Sequence, residues 1–292
     1  MLQSESGWKN HPAAVRKLMN LMKPCLNQDT LKSTPTEAFI PIAKKTGFGA
    51  IELAQDKVES ILARNSLKAL ANQIEGNQLT VASIMGPENF NLLNQQDFSE
   101  VCERSGKLAQ AARELNCNLL EPVPSPMQSG LSDDEAHSKT VESLTQLAEA
   151  CGDDINLGLE FLGMKECSVN NLKDALEIVK AVNRKNVGLV LDSFHIYLSG
   201  SQLNEMKEED RNRIFIVHVN DSEPGDRSKL QDANRLYPGQ GVIDLKGLVT
   251  QLSKLEYDGF LSLELLRPSY WEEDPEKVAV TGRESLRKVF GI

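Results

Sequence analysis

Short apolar runs and longer amphipathic segments alternate along almost the whole chain. Eight runs have the length and composition of strands: Pro24–Leu26, Ala50–Leu53, Leu79–Met85, Asn118–Pro122, Asn156–Phe161, Val187–Leu191, Ile214–Val219 and Phe260–Leu265. The stretch "VGLVL" is apolar apart from one glycine, as expected of a strand covered on both faces. The segments between the runs have helical spacing. In "SVNNLKDALEIVKAVNR", Leu172, Leu176, Val179 and Val182 form one stripe, with Ser168 or Asn170 available to cap it. "LAQAARELN" and "SLTQLAEAC" read the same way. "PTEAFIPIAKKTGFG" predicts a helix that starts near Pro35 and stops at Gly47, with a bend expected at Pro41.

This alternation predicts an α/β protein with one domain, a single (β/α)8 TIM barrel over residues 23–292. Such barrels typically take about 250 residues. A doubly wound open sheet would also alternate, but its first turn ordinarily carries a glycine-rich phosphate loop, and here the first strand runs into "NQDTL". Residues 1–22 read as an N-terminal extension with a short helix around Ala13–Met22. They lack the apolar core of a signal peptide. The two longest irregular stretches, Glu121–Ser132 and Asn220–Asp244, each follow a strand, where a barrel builds its active site.

Composition narrows the partners. Lys and Arg number 32 against 42 Asp and Glu, a net charge of -10. Nucleic acid selects for clustered positive charge, so it is disfavoured. No apolar run is long enough to span a membrane. The five cysteines are odd in number and form no C-x-x-C, which points to a reducing, cytoplasmic setting. Cys117 and Cys151 fall at element ends and read as packing residues.

The candidate chemistry sits at the strand ends. Glu160 in "INLGLEF", Asp192 in "VGLVLD", His218 in "IFIVHVND" and Glu264 in "FLSLELL" occupy four successive strands. Taken singly, each has a bland reading: a paired strand carboxylate for Glu160 and Glu264, a helix cap for Asp192, a hydrogen-bonded core histidine for His218. Together they fall at one end of one barrel. Three carboxylates gathered there would repel one another, and a divalent cation removes the conflict. One imidazole with carboxylate oxygens suits one Mn²⁺, Zn²⁺, Co²⁺ or Mg²⁺ ion. His195, three residues after Asp192, suits a role facing the substrate or supporting a ligand, and Asp221, three after His218, could orient an imidazole. His11 lies in the extension, and His137 in "SDDEAHSK" is expected to be solvated.

The motifs "NVGLVLDSFH", "VKAVNR", "VHVNDSE", "YPGQGVIDL", "SLELLRPSYWEEDPE" and "CLNQDTL" resemble those of the xylose isomerase-like TIM-barrel superfamily of sugar isomerases and epimerases. The likeness runs from about Pro24 to Val289 and is strongest from Leu157 to Trp271. It implies a divalent-metal-dependent enzyme with Glu160, Asp192, His218 and Glu264 as metal ligands. It further implies isomerisation or epimerisation of a small ketose or polyol through an enediol, with a keto-inositol as the expected substrate. Glu160 and Glu264 are then the catalytic acid–base pair. His195, Arg235 and Arg267 are expected to hydrogen-bond substrate oxygens, with Gln28 and Glu52 lining the far wall. The alternatives are another ketose isomerase or 3-epimerase, a hydroxypyruvate isomerase, a dehydroshikimate-type dehydratase, a DNA-repair endonuclease of the same fold, or a non-catalytic metabolite binder. Only four histidines and the acidic charge count against the endonuclease. "GMKECSVNN" and "SEPGDRSKLQDANR" depart from the family pattern, and the second borders the site. The late loops lack a basic, glycine-rich phosphate cradle, which favours an unphosphorylated substrate. "RPSYW" puts Tyr270 and Trp271 at the mouth or at the interface of a homo-oligomer.

Overall fold

The computed structural model describes residues 21–292. The extension expected at residues 1–22, its short helix and His11 lie almost wholly outside them.

Eight parallel strands close into one barrel: β1 (Lys23–Asn27), β2 (Ala50–Leu53), β3 (Thr80–Glu88), β4 (Leu119–Val123), β5 (Asn156–Glu160), β6 (Val187–Asp192), β7 (Ile214–Val219) and, last in the chain, β10 (Phe260–Leu263). β10 pairs with both β7 and β1, which closes the circle. The structure is therefore the (β/α)8 barrel that the alternation predicts. Ala50–Leu53 and Ile214–Val219 match their strands; the other bounds differ by one to three residues, in β3 and β6 because backbone pairing continues into Glu88 and Asp192. The stretch expected to be irregular at 220–244 contains a small antiparallel ladder of β8 (Asp221–Ser222) and β9 (Arg235–Leu236).

The barrel is wrapped by α1 (Thr36–Lys45), α2 (Gln55–Ala63), α3 (Leu67–Gly76), α4 (Gln95–Glu114), α5 (Asp133–Cys151), α6 (Leu172–Val182), α7 (Ser193–Ser199), α8 (Leu245–Lys254), α9 (Pro268–Trp271) and α10 (Pro275–Phe290). Asn171, rather than Ser168 or Asn170, caps α6 by accepting from the Asp174 amide. Ser168 instead donates to the Ser125 carbonyl. Pro41 sits inside α1 and has no N–H for the Glu37 carbonyl one turn back. The Gln73 side chain supplies that missing donor at 2.7 Å.

Strand alternation sorts the core into two parts. Leu26, Ile51, Leu189 and Val217 face outward and pack with helix residues such as Phe39, Val58, Leu108 and Val179. Cys25, Ala50, Ala82, Leu119, Val190 and Ile216 form a separate small cluster inside the barrel. Gly158 belongs to this inner face, and a Cβ there would come within 2.8 Å of Val190 Cγ2. Two residues further along the strands, the inward positions turn polar. Asn27, Glu52, Glu121, Asp192 and His218 follow Cys25, Ala50, Leu119, Val190 and Ile216. The interior is thus an apolar plug below a polar floor, and the floor lies at the strands' C-terminal end.

After β5 the chain runs close over α7. A Cβ at Gly163 would lie 2.3 Å from the His195 carbonyl oxygen, which is backbone and cannot swing aside. Gly163→Ala is expected to cost about 1–3 kcal/mol through overpacking. It should lower the urea midpoint, and an unchanged midpoint would show that the loop yields freely.

Candidate metal centre

His218 stands at the middle of the polar floor, fully buried. Its Nδ1 faces Glu160 Oε1 at 3.0 Å, Glu264 Oε2 at 3.3 Å and Asp192 Oδ2 at 3.9 Å. Its Nε2 faces the other way, to Glu52 Oε2 at 3.2 Å and Glu121 Oε2 at 3.4 Å. Five carboxylates, four on strands and Glu264 just past β10, therefore ring one imidazole. They converge because each sits at an inward position at the end of its strand.

Asp192 divides its two oxygens. Oδ1 caps α7 by accepting from the Phe194 and His195 amides at 2.6 and 3.1 Å. Oδ2 accepts from Arg235 Nη1 at 2.6 Å and from Asn220 Nδ2 at 3.1 Å. The capping role and the site role thus coexist in one side chain. Arg235 enters from β9 and is 1% exposed. It also donates to Glu264 Oε2 at 2.8 Å, to Asp232 Oδ1 at 2.9 Å and to His195 Nε2 at 3.1 Å. Guanidinium is donor-only, so His195 Nε2 must accept, and the neutral ring carries its proton on Nδ1.

The electrostatics follow from burial and neighbours. Burial raises Glu264, and its carboxyl stays up at about 7 even though His218 and Arg235 pull it down. Burial and the Glu52 charge push Glu121 well above the usual carboxylate range. Burial also opposes ionisation of Asp192, but Arg235 and the two imidazoles outweigh it and hold that carboxyl well below its ordinary value. Glu52 is likewise held down to about 2, since the charge and hydrogen bond of His218 overcome burial. Burial disfavours charge on His218, yet Glu264, Glu52, Glu160 and Glu121 raise it well above its ordinary value. Burial lowers His195, and Arg235 adds to that against the pull of Asp192.

The donor set fits a divalent cation. Ligand atoms of Glu160, Asp192, His218 and Glu264 all lie within 4.8 Å of one another, and all four residues are buried. Among the described residues, both carboxylate oxygens of Glu121 lack a hydrogen-bond partner, an unusual state for a buried polar group. Above it opens a cavity of about 640 Å³, lined in part by Glu121, Glu160, His195, Arg235 and Glu264.

Seven of the residues singled out from the sequence meet here: Glu52, Glu160, Asp192, His195, His218, Arg235 and Glu264. Two do not. Gln28, expected on the substrate wall, is bonded within the chain. Its amide donates to Thr36 Oγ1 at 2.9 Å and accepts from the Ala54 amide at 3.1 Å, tying the end of β1 to the end of β2. Arg267 likewise has partners within the chain. It pairs with Glu223 at 2.8 Å and donates to the Ala233 and Arg235 carbonyls, bracing the segment that carries Arg235. Glu52 belongs to the site but is absent from the cavity lining; it is fully buried beneath His218. Asp221 orients no imidazole. It accepts from the Ser222, Gly239 and Ile243 amides and pins the loop after β7. His137 is not simply solvated, since its Nδ1 lies 2.7 Å from Asp174 Oδ1. Trp271 donates to the Asp29 carbonyl at 2.8 Å, and Tyr270 packs on Tyr237, so both aromatics find partners within the chain at the mouth. The sequence reading missed Glu121, Asn27, Asn220, Ser83 and Ser262. Its available signal was the inward period of two, by which the Glu in "LLEPV" is equivalent to that in "AIEL".

Fold and site together define a class: a closed parallel barrel with a metal-capable acidic–histidine centre at the C-terminal mouth. The chain belongs to the xylose isomerase-like TIM barrel family, whose model matches residues 40–289. An inosose isomerase of Bacillus velezensis is 32% identical over 273 residues, covering 92% of this chain and 97% of that protein. An inosose isomerase of Bacillus subtilis is 30% identical over 269 residues, covering 90% and 96%. A crystal structure of the IolI protein with a bound zinc atom superposes with a TM-score of 0.88 at 30% identity, covering 92% of this chain and 98% of that one. These relatives support an enzyme. No helix among the described residues is long and apolar enough to cross a membrane.

In the metal-free protein, Glu264 has a folded value of about 7 against an ordinary 4.5. A raised carboxylate binds its proton more tightly folded than unfolded. Its contribution to stability is therefore full below 4.5 and is lost as pH rises through about 7. The melting temperature of metal-free protein should fall across that window, and Glu264→Gln should flatten the slope. An equal slope in the variant would remove Glu264 as its source.

Proposed function

We propose that this protein is a divalent-metal-dependent isomerase that interconverts keto-inositols, 2-keto-myo-inositol and 1-keto-D-chiro-inositol, by enediol proton transfer. The observation that carries the reading is the pairing of Glu160 and Glu264 against one imidazole nitrogen at the floor of the cavity. The inosose isomerase relatives, which match over nearly the whole chain, supply the substrate class.

Glu160, Asp192, His218 and Glu264 would hold the cation. When bound, it would supply Lewis-acid polarisation of the substrate carbonyl and a template for the neighbouring hydroxyl. The chain's own residues move the proton. One member of the Glu160–Glu264 pair takes it from the hydroxyl-bearing carbon beside the carbonyl, the other returns a proton to the former carbonyl carbon, and the hydroxyl proton passes to the former carbonyl oxygen as the new carbonyl forms. His195 offers its Nδ1–H to a substrate oxygen, held in that tautomer by Arg235. Arg235 balances the charges of Asp192 and Glu264 from one side.

The cavity wall supports an unphosphorylated substrate. Asp29, Asp56, Glu59 and Glu88 stand among its lining residues, and the cations there are Lys32, Arg104 and Arg235. A phosphate would meet net repulsion. The five free cysteines fit a reducing, cytoplasmic compartment. Residues 1–22 are proposed to be an extension outside the barrel unit of residues 23–292, and the active form is compatible with a homo-oligomer.

The decisive experiment is proton NMR of 2-keto-myo-inositol in D₂O with the Mn²⁺-dialysed protein. Metal-dependent loss of an alpha-proton signal together with a new inosose product is expected. Glu264→Gln should lower the exchange rate at least a hundredfold, on the order of what one positioned acid or base contributes. Absence of exchange by wild-type protein with metal shown to be bound would sink the keto-inositol reading.

A further inference from the structure

We infer that Glu52 is a positioning residue, holding the His218 ring from behind so that Nδ1 is presented to Glu160, Asp192 and Glu264. This rests on the metal reading above.

The Glu52 carboxylate is fully buried and its bonding capacity is taken up. Oε2 accepts from His218 Nε2 at 3.2 Å and from Ser83 Oγ at 2.7 Å. Oε1 accepts from Asn27 Nδ2 at 3.2 Å and from Ser262 Oγ. The four donors come from β7, β3, β1 and β10, so Glu52 on β2 is bonded to four other strands of the barrel. Glu52 lies on the Nε2 side of the ring, away from the Nδ1 side where Glu160, Asp192 and Glu264 gather. Glu52, Glu121 and His218 also lie close enough together to suggest a second metal site. That arrangement is better read as the back of the first centre, because the His218 Nε2 proton points into it. Asn27 extends the same hold. Its amide nitrogen reaches Glu264 Oε1 at 3.1 Å while its oxygen accepts from the Asp29 amide, so neither end can flip without losing a bond. Glu52 thereby orients two ligands, His218 directly and Glu264 through Asn27. A carboxylate on the far ring nitrogen also makes the near nitrogen a more basic ligand.

The replacement Glu52→Gln changes little in size but turns one oxygen into a donor. An NH₂ toward His218 would demand that Nε2 accept, moving the ring proton to Nδ1, where it blocks the metal. An NH₂ toward Asn27 would set donor against donor. Zinc affinity measured by competition with a chromophoric chelator should fall about 10- to 100-fold. Nitrogen-15 NMR of the zinc-loaded wild type should show His218 with a slowly exchanging Nε2–H and a coordinated Nδ1. That measurement needs no variant to fold. Zinc bound through Nε2 in the wild type, or zinc affinity in folded Glu52→Gln within threefold of wild type, would overturn the assignment of Glu52. Failure of wild-type protein to bind zinc at all would instead strike the metal reading, and this inference with it.

Discussion

One buried imidazole holds the barrel mouth together. Each of the strands β2, β4, β5, β6 and β10, or the residue just past it, sends a carboxylate toward His218, and without a cation between them these groups would repel. Arg235 supplies the second positive charge and is itself drawn into the interior by Asp192 and Glu264. Burying such charges is costly, and removing one partner from a buried pair typically costs about 3–5 kcal/mol. The cluster is therefore a poor device for stability and a good one for binding a cation.

The rest of the fold serves that arrangement. The apolar layer of Cys25, Ala50, Leu119, Val190 and Ile216 seals the barrel from below, so the charges face upward into the cavity. The helices and the outer faces of the strands make the large core, which keeps the strand ends in register. The loop after β7 carries Arg235 over the site and is itself braced by Asp221 and Arg267. Gln28 and Arg267 bond to neighbouring elements and help hold the loops around the cavity.

The division of labour around His218 explains why the two faces of the ring differ. On the Nδ1 side stand Glu160, Asp192 and Glu264, gathered closely enough to hold a cation. Toward the barrel interior, Glu52 is saturated by donors from four strands. Such supporting bonds fix the orientation of a metal-binding ring as much as the ligands themselves do.

The chain's hydrophobic rhythm was enough to determine the barrel, its eight strands and the four strand-end residues Glu160, Asp192, His218 and Glu264. Each of those is a local signal: a polar group interrupting an apolar run at its C-terminal end. Tertiary structure alone decided the remainder. Gln28 and Arg267 are polar residues in suitable places, yet whether a side chain faces a cavity or a neighbouring backbone depends on contacts across the barrel. Glu121 and Glu52 have the same sequence context. The pairing of β1 with β2 sets Asn27 beside Glu52 and the closing of β10 onto β1 brings Ser262, so that Glu52 is saturated while Glu121 accepts no hydrogen bond. Hydrogen-bond supply is a property of three-dimensional neighbours, and it separated the supporting carboxylate from the one left unpartnered at the floor.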